Sequence, residues 1–252
     1  MSINAENILK NLNNKIKVLC FDTIDSTNNK AKLMSESLKD FPCLIVAREQ
    51  TSGRGRRGRA FYSPKDTGLY MSLLLEVKQS LKIQNLQKTT CCAAVAVARA
   101  IDDLLKINTK IKWVNDIFLN GKKVSGILCE LVCNKENIPK YIVIGVGVNL
   151  TTNNFPEDIN GKAYSIGKVD PNILCAKIAD NMIYEYENID KNSFMKIYKE
   201  KNICLGQQIS YEQQGIVHNA KAIDIDENGS LIVIEQDQIT ALSFGEISIK
   251  TM

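Results

Sequence analysis

The sequence predicts an α+β fold: a mixed β-sheet with helices packed on it, followed by a small all-β barrel. Three observations predict it. From Leu86 to Leu105, apolar or small residues fall at 86, 90, 93, 94, 97, 100, 101, 104 and 105, the 3.6-residue period of a helix with a buried stripe. Elsewhere apolar residues alternate, as Leu69, Met71, Leu73 and Leu75 do, which is the two-residue period of a strand with one face in a core. After Leu205-Gly206 only short alternating runs remain, separated by turns at Gln214-Gly215, Asn228-Gly229 and Phe244-Gly245. Residues 1–204 therefore read as an α+β domain and residues 205–252 as a small β-barrel domain.

The elements follow in order. Lys15 to Phe21 reads as a strand, and Asp25-Ser26-Thr27-Asn28 as a helix cap preceding Ala31, Leu33, Met34 and Leu38 at helical spacing. Phe41 to Ala47 is a second strand, Gly68 to Val77 a third, and Leu86 to Leu105 the central helix. Short strands near Ile111–Trp113 and Ile117–Leu119 precede an Asn120-Gly121 turn, whose residues favour the positive φ of a tight hairpin. Two longer strands, Val124–Val132 and Tyr141–Val148, lead to helices at Asn172–Asn188 and Ser193–Lys201. The barrel strands are Ile209–Tyr211, Ala220–Ile225, Leu231–Ile234 and Ile247–Ile249.

At 252 residues, 44% hydrophobic and 24% charged, the chain can bury a sizeable core. No stretch approaches the roughly 18 apolar residues of a membrane-spanning helix, and Met1 to Lys10 is too polar for a secretory signal. Eight cysteines without a CxxC pair read as reduced, buried thiols in the cytoplasm rather than as zinc ligands or disulfides. The single histidine, His218, leaves no multi-histidine metal site and argues against a Ser-His-Asp triad.

The most informative segment is Gly53-Arg54-Gly55-Arg56-Arg57-Gly58-Arg59. Four guanidiniums without a carboxylate cannot form a core, but guanidinium forks match phosphate oxygens and glycine admits close backbone approach. A net charge of only +4 makes this a local feature. The loop satisfies G-x-G-x-x-G, yet no helix follows it, and Lys78 stands about 20 residues on where a dinucleotide fold needs an acid. No phosphate-binding loop of the GxxxxGK type is present. Lys112-Trp113-Val114-Asn115-Asp116 sets a carboxylate beside an amide at a strand edge, either a Mg²⁺ holder on a triphosphate or a simple turn. Lys123 leads into Val124-Ser125-Gly126-Ile127-Leu128, reaching a cleft or solvent. Gly145 and Gly147 interrupt an apolar strand, which marks close approach by a ligand or by the 86–105 helix. With no carboxylate inside it, the 53–59 loop is expected to be mobile until an anion arrives.

Taken in order, Ser26-Thr27-Asn28, Gln50 before the Arg/Gly loop, Lys-Trp-x-Asn-Asp at 112–116, Lys-x-x-Gly-Ile-Leu at 123–128 and Gly-x-Gly-x-Asn at 145–149 resemble the biotin protein ligases, over about residues 17 to 250. The resemblance implies a class II synthetase-like catalytic domain with an SH3-like C-terminal barrel. It also implies an enzyme that makes biotinyl-5′-AMP from biotin and MgATP and transfers biotin to a lysine of a biotin carboxyl carrier protein. By motif match, Ser26, Thr27, Asn28 and Gln50 line the biotin end, with Arg54, Gly55, Arg56 and Lys123 around its carboxyl. Arg54, Arg56 and Lys123 are the catalytic candidates. Arg56, Arg57, Arg59, Phe61, Asn115 and Asn149 meet ATP or the adenylate, and Asp116 the metal.

Two positions depart from the family pattern. Val114 replaces the usual proline, which is expected to loosen the turn, and Phe61 stands where a tryptophan often covers adenine. About 16 residues precede the first strand, too few for a winged helix-turn-helix, so the resemblance implies the monofunctional type without DNA binding. Exposed sheet edges leave a homodimer open. The rivals are a lipoate or octanoate ligase, whose relatives lack the Arg-rich loop, and a nucleic-acid-binding protein. The acidic barrel, with Glu212, Asp224, Asp226, Glu227, Glu235, Asp237 and Glu246, opposes the latter.

Overall fold

A computed structural model describes residues 3–37, 41–78, 86–213, 215–243 and 245–249. The expected Leu38, Gln214 and Phe244 signals lie outside the described residues. A seven-stranded mixed sheet is built from β1 (Lys17–Ile24), β2 (Cys43–Gln50), β3 (Gly68–Glu76), β4 (Lys110–Lys112), β5 (Asp116–Leu119), β6 (Lys122–Cys133) and β7 (Pro139–Asn149). Its order is β1-β2-β3-β7-β6-β5-β4, with β1 and β2 parallel and every other neighbouring pair antiparallel. The parallel pair is made possible by the crossover helix α2 (Thr27–Ser35), which begins at the predicted cap: Ser26 Oγ accepts from Asn29 N.

The two faces of this sheet are covered differently. On one lies α3 (Leu86–Leu105), backed by α4 (Pro171–Glu187) and α5 (Phe194–Lys201). The sequence shows a stripe, but the structure buries α3 on every side from Thr89 to Ala98. Its small residues, such as Ala93, Ala94 and Ala96, allow that close packing from all sides. On the other face α2 covers a smaller patch of Ala31, Cys43, Ile45, Leu74 and Val143. Met34 packs there too, whereas Leu33, expected in the same stripe, is 70% exposed because it falls on the helix's outer side.

The C-terminal segment, expected as a small barrel, forms a five-stranded antiparallel sheet. Its strands are β8 (Gln208–Gln213), β9 (Ile216–Ile225), β10 (Leu231–Glu235), β11 (Gln238–Leu242) and β12 (Ile247–Ile249), in the order β11-β10-β9-β8-β12. Ile209, Ala222, Leu231 and Val233 point into a core continuous with that under α3. Two elements escape the sequence reading. Helix α1 (Ala5–Asn11) buries only Ile8, so it has no periodic stripe. Strand β11 exposes every residue but Leu242 and follows a Gln236-Asp237 turn, where both residues hold a positive φ without the usual Asn or Gly. The thiol reading needs a correction as well: six cysteines are buried and none is bridged, but Cys133 is exposed and Cys20 half-buried. No helix among the described residues is long and apolar enough to cross a membrane.

The two sheets meet around the 112–116 turn. Trp113 Nε1 donates to Gly229 O at 2.9 Å, and the buried Tyr198 hydroxyl donates to Val114 O at 2.9 Å. Val114 is 3% exposed, and the Trp113–Val114 peptide is cis. Without the proline, burial of Val114 and the Tyr198 bond hold the turn. Replacing Tyr198 with Phe leaves the Val114 carbonyl without that donor. Urea denaturation should show a loss of about 1–3 kcal/mol for Tyr198→Phe, and unchanged stability would show that the turn does not depend on this bond.

Candidate active site

A cavity of about 530 Å³ opens on the α2 side of the sheet, over β6 and β7. Glycine makes the room. Gly126, Gly145 and Gly147 face the cavity, with Gly126 opposite Gly147 and Leu128 opposite Gly145. A Cβ on Gly145 would overlap the Asn28 amide, and one on Gly147 the Phe61 ring. The expected close approach is thus made by α2 and Phe61, and not by the 86–105 helix. Phe61 rests edge-on against Tyr70, with ring centroids 6.4 Å apart.

One region of the cavity is polar and uncharged. Thr27 N donates to Gln50 Oε1 at 2.8 Å, and Gln50 Nε2 donates to Ser63 Oγ at 2.9 Å. Ser72 Oγ lies 2.7 Å from Thr27 Oγ1 and 2.6 Å from Asn28 Oδ1. Asn28 Nδ2 donates to Glu130 Oε2 at 2.8 Å and to Leu128 O at 3.2 Å, while Lys32 Nζ donates to Glu130 Oε1 at 2.9 Å. Burial raises the Glu130 pKa, but the hydrogen bonds from Asn28 and Lys32 outweigh it and hold the carboxyl below its ordinary value.

The other region is cationic. Arg54, Arg56, Arg59, Lys112, Lys123 and Lys162 line the cavity against only Asp116 and Glu246. The Arg/Gly loop owes its shape to its own backbone: Gly55 N donates to Arg59 O at 2.7 Å, and Phe61 N to Gly53 O at 2.9 Å. Three of its four guanidiniums also have partners, all from outside the loop. Arg54 Nη1 donates to Asn29 Oδ1 at 2.8 Å, and Arg59 pairs with Glu246. Arg56 donates to Asn115 Oδ1 at 3.1 Å and to the Gly245 carbonyl at 3.2 Å. Both Arg56 partners are neutral. Burial lowers its pKa, which the charges of Asp116 and Glu246 only partly offset; the guanidinium keeps its charge, and among the described residues no carboxylate makes an ion-pair contact with it.

Lys123 Nζ stands 2.7 Å from Asp116 Oδ1, an ion-pair contact in which that buried oxygen makes no aligned hydrogen bond. Among the described residues no group of three His, Cys, Asp or Glu could hold a metal. Asp116, whose buried Oδ1 has no hydrogen-bond partner, would be a single carboxylate ligand, so a Mg²⁺ here would need its other ligands from water and a bound polyanion.

Of the residues singled out from sequence, Ser26, Thr27, Asn28, Gln50, Arg54, Gly55, Arg56, Arg59, Phe61, Asn115, Asp116, Lys123 and Asn149 all line this cavity. Arg57 does not: it is exposed, with a φ of 56° in the loop's turn. Asn149 also has a structural task, since its Nδ2 donates to Tyr164 O at 3.2 Å and ties down the chain that follows β7. That chain supplies Phe155, Ile159 and Ala163 as an apolar wall, which carried no recognisable chemical pattern. Glu246 reaches the site from the second sheet, and Ser72 and Glu130 hold it from behind. His218 lies apart, stacked on Tyr211 and 3.1 Å from Glu235 Oε2.

The model of the biotin/lipoate A/B protein ligase family matches residues 20–149, and that of the biotin protein ligase C-terminal domain matches residues 204–250. The bifunctional ligase/repressor BirA of Bacillus spizizenii is 30% identical over 237 residues, covering 90% of this chain and 72% of its own. A biotin–[acetyl-CoA-carboxylase] ligase of Paracoccus denitrificans is 34% identical over 132 residues, half of this chain and 51% of its own. The structure of a biotin protein ligase from Aquifex aeolicus in complex with biotin and ATP superimposes with a TM-score of 0.79 at 24% identity, covering 94% of this chain and 99% of that one. At that identity the likeness shows the fold.

The Lys32–Glu130–Asn28 cluster has a pH signature. Glu130's depressed folded pKa means that its stabilisation is present above the ordinary glutamate value and is lost as pH falls through the folded one. Between about pH 6 and pH 3, urea midpoints of the native protein should therefore fall more steeply than those of Glu130→Gln; parallel curves would show that the carboxylate contributes no such linkage.

Proposed function

The chain belongs to the biotin/lipoate A/B protein ligase family, and on that premise we propose that it is a biotin protein ligase. It joins biotin to ATP as biotinyl-5′-AMP, then passes the biotinyl group to one lysine of a biotin carboxyl carrier protein. One observation carries this reading: a single cavity holds an uncharged hydroxyl and amide cluster, Thr27, Asn28 and Gln50, together with a cluster of cations around Arg56. A neutral ring with N–H and C=O groups suits the first, and two anions that must react with each other suit the second.

In the first step a carboxylate oxygen of biotin attacks the α-phosphorus of ATP. The new P–O bond forms as the α–β bridge breaks, and its electron pair leaves on pyrophosphate. Carboxylate and phosphate repel, and cations fixed around their meeting point lower that barrier without reorganising during the step. Arg54, Arg56 and Lys123 fill that role in our reading, with Arg59 and Asn115 on the phosphates and Phe61 and Asn149 toward the base. Lys123 exchanges its Asp116 contact for the acyl and phosphate oxygens. A Mg²⁺ held by the phosphates and Asp116 would supply further charge neutralisation there. In the second step the carrier's lysine amine attacks the acyl carbon, AMP departs with the anhydride electron pair, and the nitrogen loses a proton.

Residues 1–204 form the biotin and ATP site in this reading, and residues 205–252 complete it through Gly245 and Glu246. The unbridged thiols suit a reducing compartment, the cytoplasm. Incubation with biotin, MgATP and a carrier domain should add one biotinyl mass to the carrier lysine. No addition, or addition only when lipoate replaces biotin, would overturn the reading. Lys123→Ala should slow biotin-dependent pyrophosphate release by about 10²-fold or more, and wild-type release would remove Lys123 from the reacting centre.

A further inference from the structure

Asn28 is 4% exposed and its amide is fully committed. Both Nδ2 hydrogens are taken, by Leu128 O and by Glu130 Oε2, and an ionised carboxylate can only accept. The amide cannot turn over without facing its oxygen toward Glu130, so Oδ1 must point at Ser72, 2.6 Å away. Asn28 Oδ1 has no proton to give, so the single hydroxyl proton of Ser72 goes to it. Ser72 then has only lone pairs to offer at its 2.7 Å contact with Thr27. Thr27's proton goes to Ser72 Oγ or to Gln50 Oε1 at 3.1 Å, and both of these are internal. Either way Thr27 keeps no hydroxyl proton for a ligand in the cavity it lines.

We propose that Glu130 is a positioning residue that sets the hydrogen-bond polarity of the uncharged end of the cavity, making it an acceptor surface selective for ligands that present N–H donors. The order runs Glu130, Asn28, Ser72, Thr27, and of these four Thr27 and Asn28, the first two residues of α2, line the cavity. Lys32 neutralises Glu130 from the solvent side, with both side chains about a quarter exposed, and bonds Oε1, the oxygen that Asn28 does not use. The proposal rests on the biotin reading above, whose ureido ring offers the N–H groups.

Glu130→Gln tests it. The substituted amide can donate toward Asn28 and removes the ionised acceptor, leaving the Leu128 carbonyl alone to hold that side chain's orientation, while size and shape are kept. In biotin-dependent ATP–pyrophosphate exchange its KM for biotin should rise by about tenfold or more, with the KM for ATP within about twofold of wild type. Ser72→Ala, which removes the hydroxyl between Asn28 and Thr27, should shift the biotin KM in the same direction and serves if Glu130→Gln fails to fold. Lys32→Met removes the ion pair but leaves the acceptor, and should keep the biotin KM within about twofold. A biotin KM unchanged in Glu130→Gln, or biotin and ATP KM rising together, overturns the proposal. A wild-type protein that exchanges no pyrophosphate with biotin would instead overturn the functional reading beneath it.

Discussion

A half-buried guanidinium with no carboxylate in contact among the described residues is the constraint around which the site is organised. Arg56 sits where the Arg/Gly loop, the 112–116 turn and the second sheet converge, held by an Asn115 side-chain oxygen and the Gly245 carbonyl. Neutral acceptors orient the group in a partly desolvated place, where Asp116 and Glu246 offset its charge only from beyond ion-pair contact and an anion is worth far more than in water. The neighbouring cations share their few carboxylates, Arg59 with Glu246 and Lys123 with Asp116. An incoming polyanion can take over all of these contacts at once. The C-terminal sheet is therefore part of the site's electrostatics, because one of its carbonyls and one of its carboxylates face that cluster.

The second requirement is space beside a sheet that is otherwise densely packed. Beneath α3 the inward face of β6 and β7 is filled by residues such as Ile127, Ile144, Val146 and Val148. On the opposite face three glycines empty the same two strands, and Asn28 and Phe61 lie in the vacated trough. One sheet thus does two tasks through its two-residue period: one face contributes stability, the other a binding floor. Behind that floor, Glu130 and Ser72 fix which way the polar side chains face, so that specificity is prepared by residues that never reach the ligand.

Much of this was legible in the sequence. The central helix runs from Leu86 to Leu105 as its spacing indicates, and the Ser26 cap and the Asn120-Gly121 turn fall where their chemistry requires. Thirteen predicted site residues reach one cavity because their motifs sit at strand ends and strand-to-helix turns that the fold brings together. What stayed hidden has physical reasons. Helix α1 and strand β11 bury almost nothing and so leave no period. The wall from Phe155 to Ala163 uses ordinary apolar groups. The partners of the arginines come from distant segments, Asn29, Asn115 and Glu246, which an inspection of the loop alone cannot supply. Arg57 matched its neighbours in type, but its backbone turn carries it out to solvent.

The central claim is that this cation cluster, closed over by the loop and the second sheet, forms biotinyl-5′-AMP and keeps it from water. A pre-steady-state measurement tests it most directly: mix the protein with biotin and MgATP, supply no carrier, and follow pyrophosphate while assaying bound acyl-adenylate after rapid denaturation. A burst near one equivalent of pyrophosphate per protein, with matching biotinyl-5′-AMP retained and slow release thereafter, is the predicted result. Continuous pyrophosphate release without retained adenylate, or no burst at all, would contradict it.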